Sequence, residues 1–240
     1  MQVGDTRSLI FDLDGTLCES TKCLLPEMQH MLKLLSQDYD IWVTTGTSHQ
    51  KLLTQIPADV LSCLTGVYCS LGTEYYNNGQ LVSRLDAEFS QSLLLELQAV
   101  FEACEFAHKH ECAITYRNAM INFSVLTPGS SDTLRKQFAT WDHETNFRNR
   151  IVMHLKNMYP QYNFAAGGMV SIDITQTGVD KSVIVDNEKL KTDVIFFGDK
   201  AEPLGNDYPV AQAIVERKIG KYYCVESPEH TLSLLKKIRA

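Results

Sequence analysis

The sequence predicts an α/β fold: a doubly wound parallel-sheet (Rossmann-like) core with an inserted α+β cap domain carrying an antiparallel sheet. Three observations predict it. Short apolar runs stop at glycine or polar residues, helical periodicities lie between those runs, and the middle third of the chain switches to a different pattern.

The runs are Ser8 to Phe11, Ile41 to Val43 ahead of Thr44-Thr45-Gly46, Val67 to Leu71 ahead of Gly72, and Val194 to Phe197 ahead of Gly198-Asp199. Continuous rather than alternating apolar character suits strands buried on both faces of a parallel sheet. Leu25, Met28, Met31, Leu32 and Leu35 follow helical spacing around Pro26, and Val210 and Ile214 do so before Arg217-Lys218. In the middle third, Ser90 opens an amphipathic helix through Leu93, Leu94, Leu97, Val100, Phe101 and Cys104, and strand-like segments flank Asn118-Ala119. A second helix spaces Phe147, Ile151, Leu155 and Met158 along one side. Met169 to Thr175 then alternates, with Val170, Ile172 and Ile174 on a packed face and Ser171, Asp173 and Thr175 on an open polar one. The expected division is a core of residues 1–79 and 180–240 and a cap of 80–179, without repeats or low-complexity segments.

Composition bounds the function. A chain of 240 residues with 44% hydrophobic content can bury a substantial core. Its 22 basic and 29 acidic side chains give a net charge of −7, and the densest basic cluster, Lys236-Lys237-Ile238-Arg239, reads as a solvated helix end. Nucleic-acid and membrane partners are therefore not expected. Seven cysteines, odd in number and without a Cys-x-x-Cys pair, sit in or beside apolar segments, which suits a reducing cytoplasmic setting. Asp5 and Arg7 precede only a short apolar run, and no stretch reaches the ~18 apolar residues of a membrane span, so neither a signal peptide nor a span is expected.

The chemistry concentrates at strand ends. Ligands of open α/β sheets bind outside the carboxyl ends of the strands, which gathers Asp12, Asp14, Thr45, Gly198 and Asp199, with Asp207 further on. Four carboxylates there repel one another unless a cation neutralises them, and hard oxygen donors select Mg2+. A calcium loop is a poor alternative, because it needs another acid before its glycine and a Glu where Cys23 stands. Helix capping could explain one isolated Asp, but not an apolar strand followed by DLDGTL together with a late Gly-Asp and Asn-Asp pair. The spacing of Asp12 and Asp14 also has a reason. Residues i and i+2 of an extended chain project to the same side, so both acids can face a ligand while Leu13 packs away.

These motifs resemble the haloacid dehalogenase superfamily of aspartate-based phosphotransferases. Phe11-Asp12-Leu13-Asp14-Gly15-Thr16-Leu17 looks like its first motif, Thr45-Gly46 its second, Asp180-Lys181 its third, and Gly198-Asp199 with Asn206-Asp207 its fourth. The resemblance implies that Asp12 is a nucleophile forming a phosphoaspartate and Asp14 a general acid and base. It further implies that Thr45 and Lys181 stabilise phosphoryl oxygens, and that Mg2+ is held by Asp12, the Asp14 carbonyl and Asp199, with Asp207 in support.

Within that superfamily, the stretch from Phe196 to Asp207 resembles the long fourth motif of eukaryotic-type phosphomannomutases, and the segments Tyr116–Ser124 and Gly167–Asp173 resemble their sugar-phosphate-binding strands. This implies that Arg117 and Arg135 hold a distal phosphate, that Ser171 and Asp173 bind phosphate or sugar hydroxyls, that a hexose 1,6-bisphosphate serves as activator, and that the cap forms a homodimer. The chain departs from the pattern where Pro128 and Thr21 replace basic residues, Lys22 being a neighbouring substitute, and where Thr47-Ser48-His49 replaces an acidic turn. A phosphomannomutase is the leading expectation and a sugar-phosphate phosphatase the second, because weaker retention of a bisphosphate lets hydrolysis compete. A non-catalytic sugar-phosphate sensor is a third. A transition-metal site at His108-Lys109-His110-Glu111-Cys112 is set aside in favour of a polar connection.

Overall fold

The computed structural model describes residues 7–190 and 192–239, so Asp5 and its neighbours lie outside the described residues. The chain runs β1 (Arg7–Phe11), α1 (Pro26–Leu35), β2 (Tyr39–Thr44), α2 (His49–Gln55), α3 (Ala58–Leu61), β3 (Gly66–Cys69), β4 (Glu74–Asn77) and β5 (Gln80–Arg84). It continues with α4 (Gln91–Ala103), β6 (Ala113–Arg117), β7 (Met120–Ser124), α5 (Asp132–Thr145), α6 (Phe147–Met158), β8 (Tyr162–Gly167) and β9 (Ser171–Gln176), and returns through β10 (Val194–Gly198), α7 (Tyr208–Glu216), β11 (Gly220–Cys224) and α8 (Pro228–Arg239).

The core sheet has the order β11-β10-β1-β2-β3-β4-β5. Its first five strands are parallel, and β4 and β5 extend it as an antiparallel hairpin. Alternate residues of the central strands enter different cores. Leu9, Phe11, Ile41, Val43 and Phe197 pack with Met28 and Leu32 of α1 and Leu235 of α8, whereas Ile10, Trp42 and Phe196 pack with Val210 and Ile214 of α7. That two-sided burial explains why these strands read as unbroken apolar runs, and each such side chain contributes about 1.5–3 kcal/mol.

Two sequence expectations shift here. Gln80–Arg84 belongs to the core sheet, so the chain leaves that sheet after Arg84 and not at residue 80. The turn responsible is Asn78-Gly79, both residues at positive φ (48° and 71°), as a two-residue hairpin of this hand requires. The apolar run from Val67 also stops early: β3 ends at Cys69, and Ser70–Gly72 form a 3-10 turn in which Ser70 and Leu71 are left-handed. The turn has a use. The Ser70 and Leu71 amides donate to the Thr47 and Thr45 carbonyls, fixing the loop after β2.

The second unit is a four-stranded antiparallel sheet, β6-β7-β9-β8, backed by α4, α5 and α6. The Ser90 side chain caps α4 by accepting from the Leu93 amide, and Asn146, with φ 53° and ψ 34°, makes the break between α5 and α6. Leu93, Leu97, Phe138, Phe147, Val152 and Leu155 bury against Ile121, Phe123, Ile172 and Ile174. Met158, which the sequence pattern sets on the packed side of α6, is half exposed, whereas Val152 is fully buried. The polar face of β9 is also different from the expectation of an open face, since Ser171, Asp173 and Thr175 are buried. The core domain covers that face. Truncating the fully buried Leu97 to Ala should lower the stability of the folded chain by about 2–5 kcal/mol in chemical denaturation.

Candidate active site

Three candidate groups of the core stand immediately beyond parallel strands. Asp12 follows β1, its amide donating to the Phe197 carbonyl at 2.9 Å, and Thr45 follows β2, its amide donating to the Tyr68 carbonyl at 2.9 Å. Asp199 follows β10. After Asp12 the chain turns sharply as the Leu17 and Cys18 amides bond to the carbonyl of Leu13, whose side chain is fully buried. Gly15 makes this turn possible on two counts. Its φ is +93°, and a Cβ there would sit 2.6 Å from Oδ2 of Asp199.

Lys181 is the centre of the site. It opens the 3-10 turn Lys181–Asp186, whose first amides are met by the Asp180 carboxylate accepting from Ser182, and it is almost fully buried. Its Nζ donates to Asp12 Oδ1 at 2.6 Å, to Asp207 Oδ1 at 2.7 Å and to Asn206 Oδ1 at 3.3 Å. Burial alone would depress the ammonium, but the two carboxylates outweigh it and hold the pKa above that of ordinary lysine. Burial likewise pushes the Asp12 carboxyl well above the carboxylate range, with Lys181 opposing and Asp207 and Asp199 adding to the rise. Asp199 is pushed up to about 6 by burial and then by Asp207, with Lys200 opposing.

Asp12, Asp199 and Asp207 each offer an oxygen within 4.8 Å of the others. When all three carboxylates are ionised, their charge against the one positive charge of Lys181 leaves two negative charges in a buried pocket, the deficit a divalent cation fills. Asp207 is already held, accepting from the Lys200 amide at 3.0 Å as well as from Lys181. The Asp14 carboxylate is not part of this group. It accepts from the Thr21 amide (2.6 Å), the Thr47 hydroxyl (2.8 Å) and Gln55 Nε2 (2.9 Å), and it lines the same cleft as Asp12.

That cleft is a cavity of about 290 Å3 between core and cap. All four cap residues expected to bind substrate line it: Arg117 at the end of β6, Arg135 on α5, and Ser171 and Asp173 on β9. Arg117 donates to the Gly46 carbonyl at 2.6 Å and Arg135 to Ser20 Oγ at 3.1 Å, so both reach across to the core. Asp173 lies in the seam, accepting from Asn122 of the cap at 2.6 Å and from Asn206 of the core at 3.1 Å. Gly167 makes room for it, since a Cβ would come within 2.0 Å of Asp173 Oδ2. The seam also holds Asn118 on Glu74 at 2.5 Å and the Ala166 amide on the Leu204 carbonyl at 3.0 Å.

Thr21 and Pro128 line the cavity too. Lys22 does not take the place of Thr21: its ammonium pairs with Asp132 of α5 at 2.8 Å, largely in solvent. Three residues of the site carry no motif in the sequence. Gln55 orients Asp14; Lys51, also on α2, borders the cavity; and buried Arg148 pairs with Asp142 and donates to the Gly167, Gly168 and Ser171 carbonyls, bracing the β8–β9 turn. The i to i+4 spacing of Lys51 and Gln55 is the one local signal that places them on a common face.

The eukaryotic phosphomannomutase family model matches residues 28–240. The chain belongs to that family. A probable phosphomannomutase of Caenorhabditis elegans is 30% identical over 237 residues, covering 93% of this chain and 91% of the relative. The family-model match begins after Asp12 and Asp14, but phosphomannomutase relatives align over almost all of the chain. Among solved structures, the trehalose-6-phosphate phosphatase C-terminal domain of C. albicans superposes with a TM-score of 0.64 at 16% identity, covering 97% of this chain and 92% of that one. A phosphatase of the haloalkanoate dehalogenase superfamily from Bacteroides thetaiotaomicron gives 0.60 at 13% identity, covering 100% and 96%. These structures share the fold of the phosphomannomutase-family chain described here. No helix among its described residues is long and apolar enough to cross a membrane.

The elevated Asp199 pKa fixes a pH dependence. Its folded value of about 6 lies above the ~3.9 of an unfolded aspartate, so the folded state binds the proton more tightly. The resulting stability is complete below about pH 4 and is lost as the pH rises through about 6. A cation competes with that same proton. Mg2+ affinity measured by calorimetry should therefore fall between pH 7.5 and pH 5, approaching about tenfold per pH unit below the Asp199 pKa.

Proposed function

We propose that this protein is a Mg2+-dependent phosphotransferase that interconverts mannose 6-phosphate and mannose 1-phosphate through a phosphoaspartate on Asp12. The observation that carries this reading is the convergence of Asp12, Asp199, Asp207 and Lys181 beside a cleft whose lining includes the cap arginines. Names of relatives support the sugar, since those aligned over most of the chain are phosphomannomutases.

Asp12, Asp199 and Asp207 would hold Mg2+, which supplies positive charge to the transferring phosphoryl oxygens. The Asp12 carboxylate oxygen forms a bond to phosphorus while the bond from phosphorus to the sugar oxygen breaks. Asp14 gives its proton to that departing oxygen. Thr21, Thr47 and Gln55 keep the Asp14 carboxylate aimed at the cleft it shares with Asp12. In the other half-reaction, a sugar monophosphate presents its free hydroxyl to the phosphoaspartate. That hydroxyl gives its proton to Asp14 and attacks phosphorus, freeing Asp12 and forming the bisphosphate, which turns end for end before Asp12 removes its other phosphate. A hexose 1,6-bisphosphate is the intermediate in this scheme and, added in catalytic amount, the activator that loads Asp12. Lys181 stays protonated throughout, balancing Asp12 before transfer and the phosphoryl oxygens during it. Residues 85–179 act as the specificity cap, with Arg117, Arg135, Ser171 and Asp173 receiving the distal phosphate and sugar hydroxyls.

A second reading, sugar-phosphate hydrolysis, is favoured by Thr21 and Pro128, which line the cavity with neutral surface. The bisphosphate then escapes more readily and water reaches Asp12. Incubation with mannose 1-phosphate, Mg2+ and a catalytic amount of hexose 1,6-bisphosphate separates the two. Mannose 6-phosphate is the expected product; inorganic phosphate alone refutes the mutase and leaves the hydrolase. Replacing Asp12 with Asn should lower kcat by about a thousandfold or more with folding intact, and unchanged turnover would refute the nucleophile.

A further inference from the structure

The structure assigns a third cation to the distal phosphate: we propose that Lys51, on the core side of the cleft, grips the non-reacting phosphate together with Arg117 and Arg135. This rests on the phosphotransferase reading above and adds a binding residue to it. Lys51 projects from the same face of α2 as Gln55, one helical turn away, and Gln55 is hydrogen-bonded to Asp14. Its side chain therefore borders the cavity beside Asp14, and the cavity also has Arg117 and Arg135 in its lining. Lys51 is more than half buried, yet among the described residues no hydrogen bond or ion pair engages its ammonium.

The two arginines are bonded to neutral oxygens, the Gly46 carbonyl and the Ser20 hydroxyl. Asp14 and Asp173 line the same cavity, but among the described residues no carboxylate pairs with any of these three cations, so their donors stay open to an anion. A sugar-borne phosphate dianion satisfies all three. Lys22 is committed to Asp132 and Lys181 to Asp12 and Asp207, so among the described residues the uncommitted lysine on the core side of the cavity is Lys51.

The test measures binding in the Asp12→Asn protein with Mg2+, which leaves the ligand unconsumed, comparing glucose 1,6-bisphosphate with phenyl phosphate, which has no distal phosphate. Lys51→Met should weaken the bisphosphate by about tenfold or more and phenyl phosphate by a factor about fivefold smaller, while Lys51→Arg stays within about threefold of the parent. Lys51→Gln serves as the second neutral variant if the Met protein fails to fold. Equal weakening of both ligands would put Lys51 on Asp14 and overturn the inference, as would no weakening or an Asp12→Asn protein that does not bind the bisphosphate. Failure of the phosphotransferase reading is scored separately, in turnover by the native protein. A chain that binds the bisphosphate through Lys51 and never transfers phosphate would refute that reading alone.

Discussion

A single ammonium group organises the molecule. Lys181 is buried between the carboxylates of Asp12 and Asp207, which come from opposite ends of the chain. An unpaired buried charge costs several kcal/mol, so each partner depends on the others being present. The parallel sheet makes that meeting possible. β1 and β10 are neighbours in register, Phe11 beside Phe197, so the residues just past them emerge side by side, and the turn before β10 brings Lys181 to them. The remaining charge imbalance selects a dication, and burial, with the neighbouring carboxylates adding to it, raises the Asp12 and Asp199 carboxyls.

Close approach is the second constraint. Gly15 admits the Asp199 carboxylate and Gly167 admits that of Asp173, so two acids press against backbone where any side chain would collide. One contact builds the cation site. The other builds the seam, because Asp173 can bridge Asn122 and Asn206 only if the β8 backbone stands clear. Catalytic edge and cap are thereby tied through Asn206, which touches both Lys181 and Asp173. A change in the charge state around Lys181 has a direct physical route to the cap through that one amide.

Much of the core site was legible because its information is local. An apolar run buried on both faces has to end at the sheet edge, and the acids that follow it have few other places to go. Asp12, Asp199 and Asp207 were readable for that reason. Only β5 fell on the cap side of the expected boundary at residue 80, because its exposed Leu81 and Val82 imitate no buried strand, although Asn78-Gly79 signals the turn. The polar side of β9 read as open because alternation reveals two faces but not what covers the second. Lys51, Gln55 and Arg148 were invisible for another reason. They sit on helices whose surface residues look alike in sequence, and only tertiary packing shows which turn toward the cleft.

The balance between transfer and hydrolysis follows from the seam. Both cap arginines reach the core through neutral acceptors, and Asn118 and Asp132 add polar contacts at the same border. Such contacts are individually worth about 1 kcal/mol, so the closed cap is a shallow minimum that a bisphosphate can deepen and a monophosphate deepens less. In the proposed transfer, closure would have to exclude water for as long as Asp12 carried a phosphoryl group. The distal phosphate is then more than a handle. Under the proposed function, a distal phosphate that drew Arg117 and Arg135 off their neutral partners would convert a weak polar border into a charged clamp, and the time that clamp stayed shut would decide whether a sugar hydroxyl or water received the phosphoryl group.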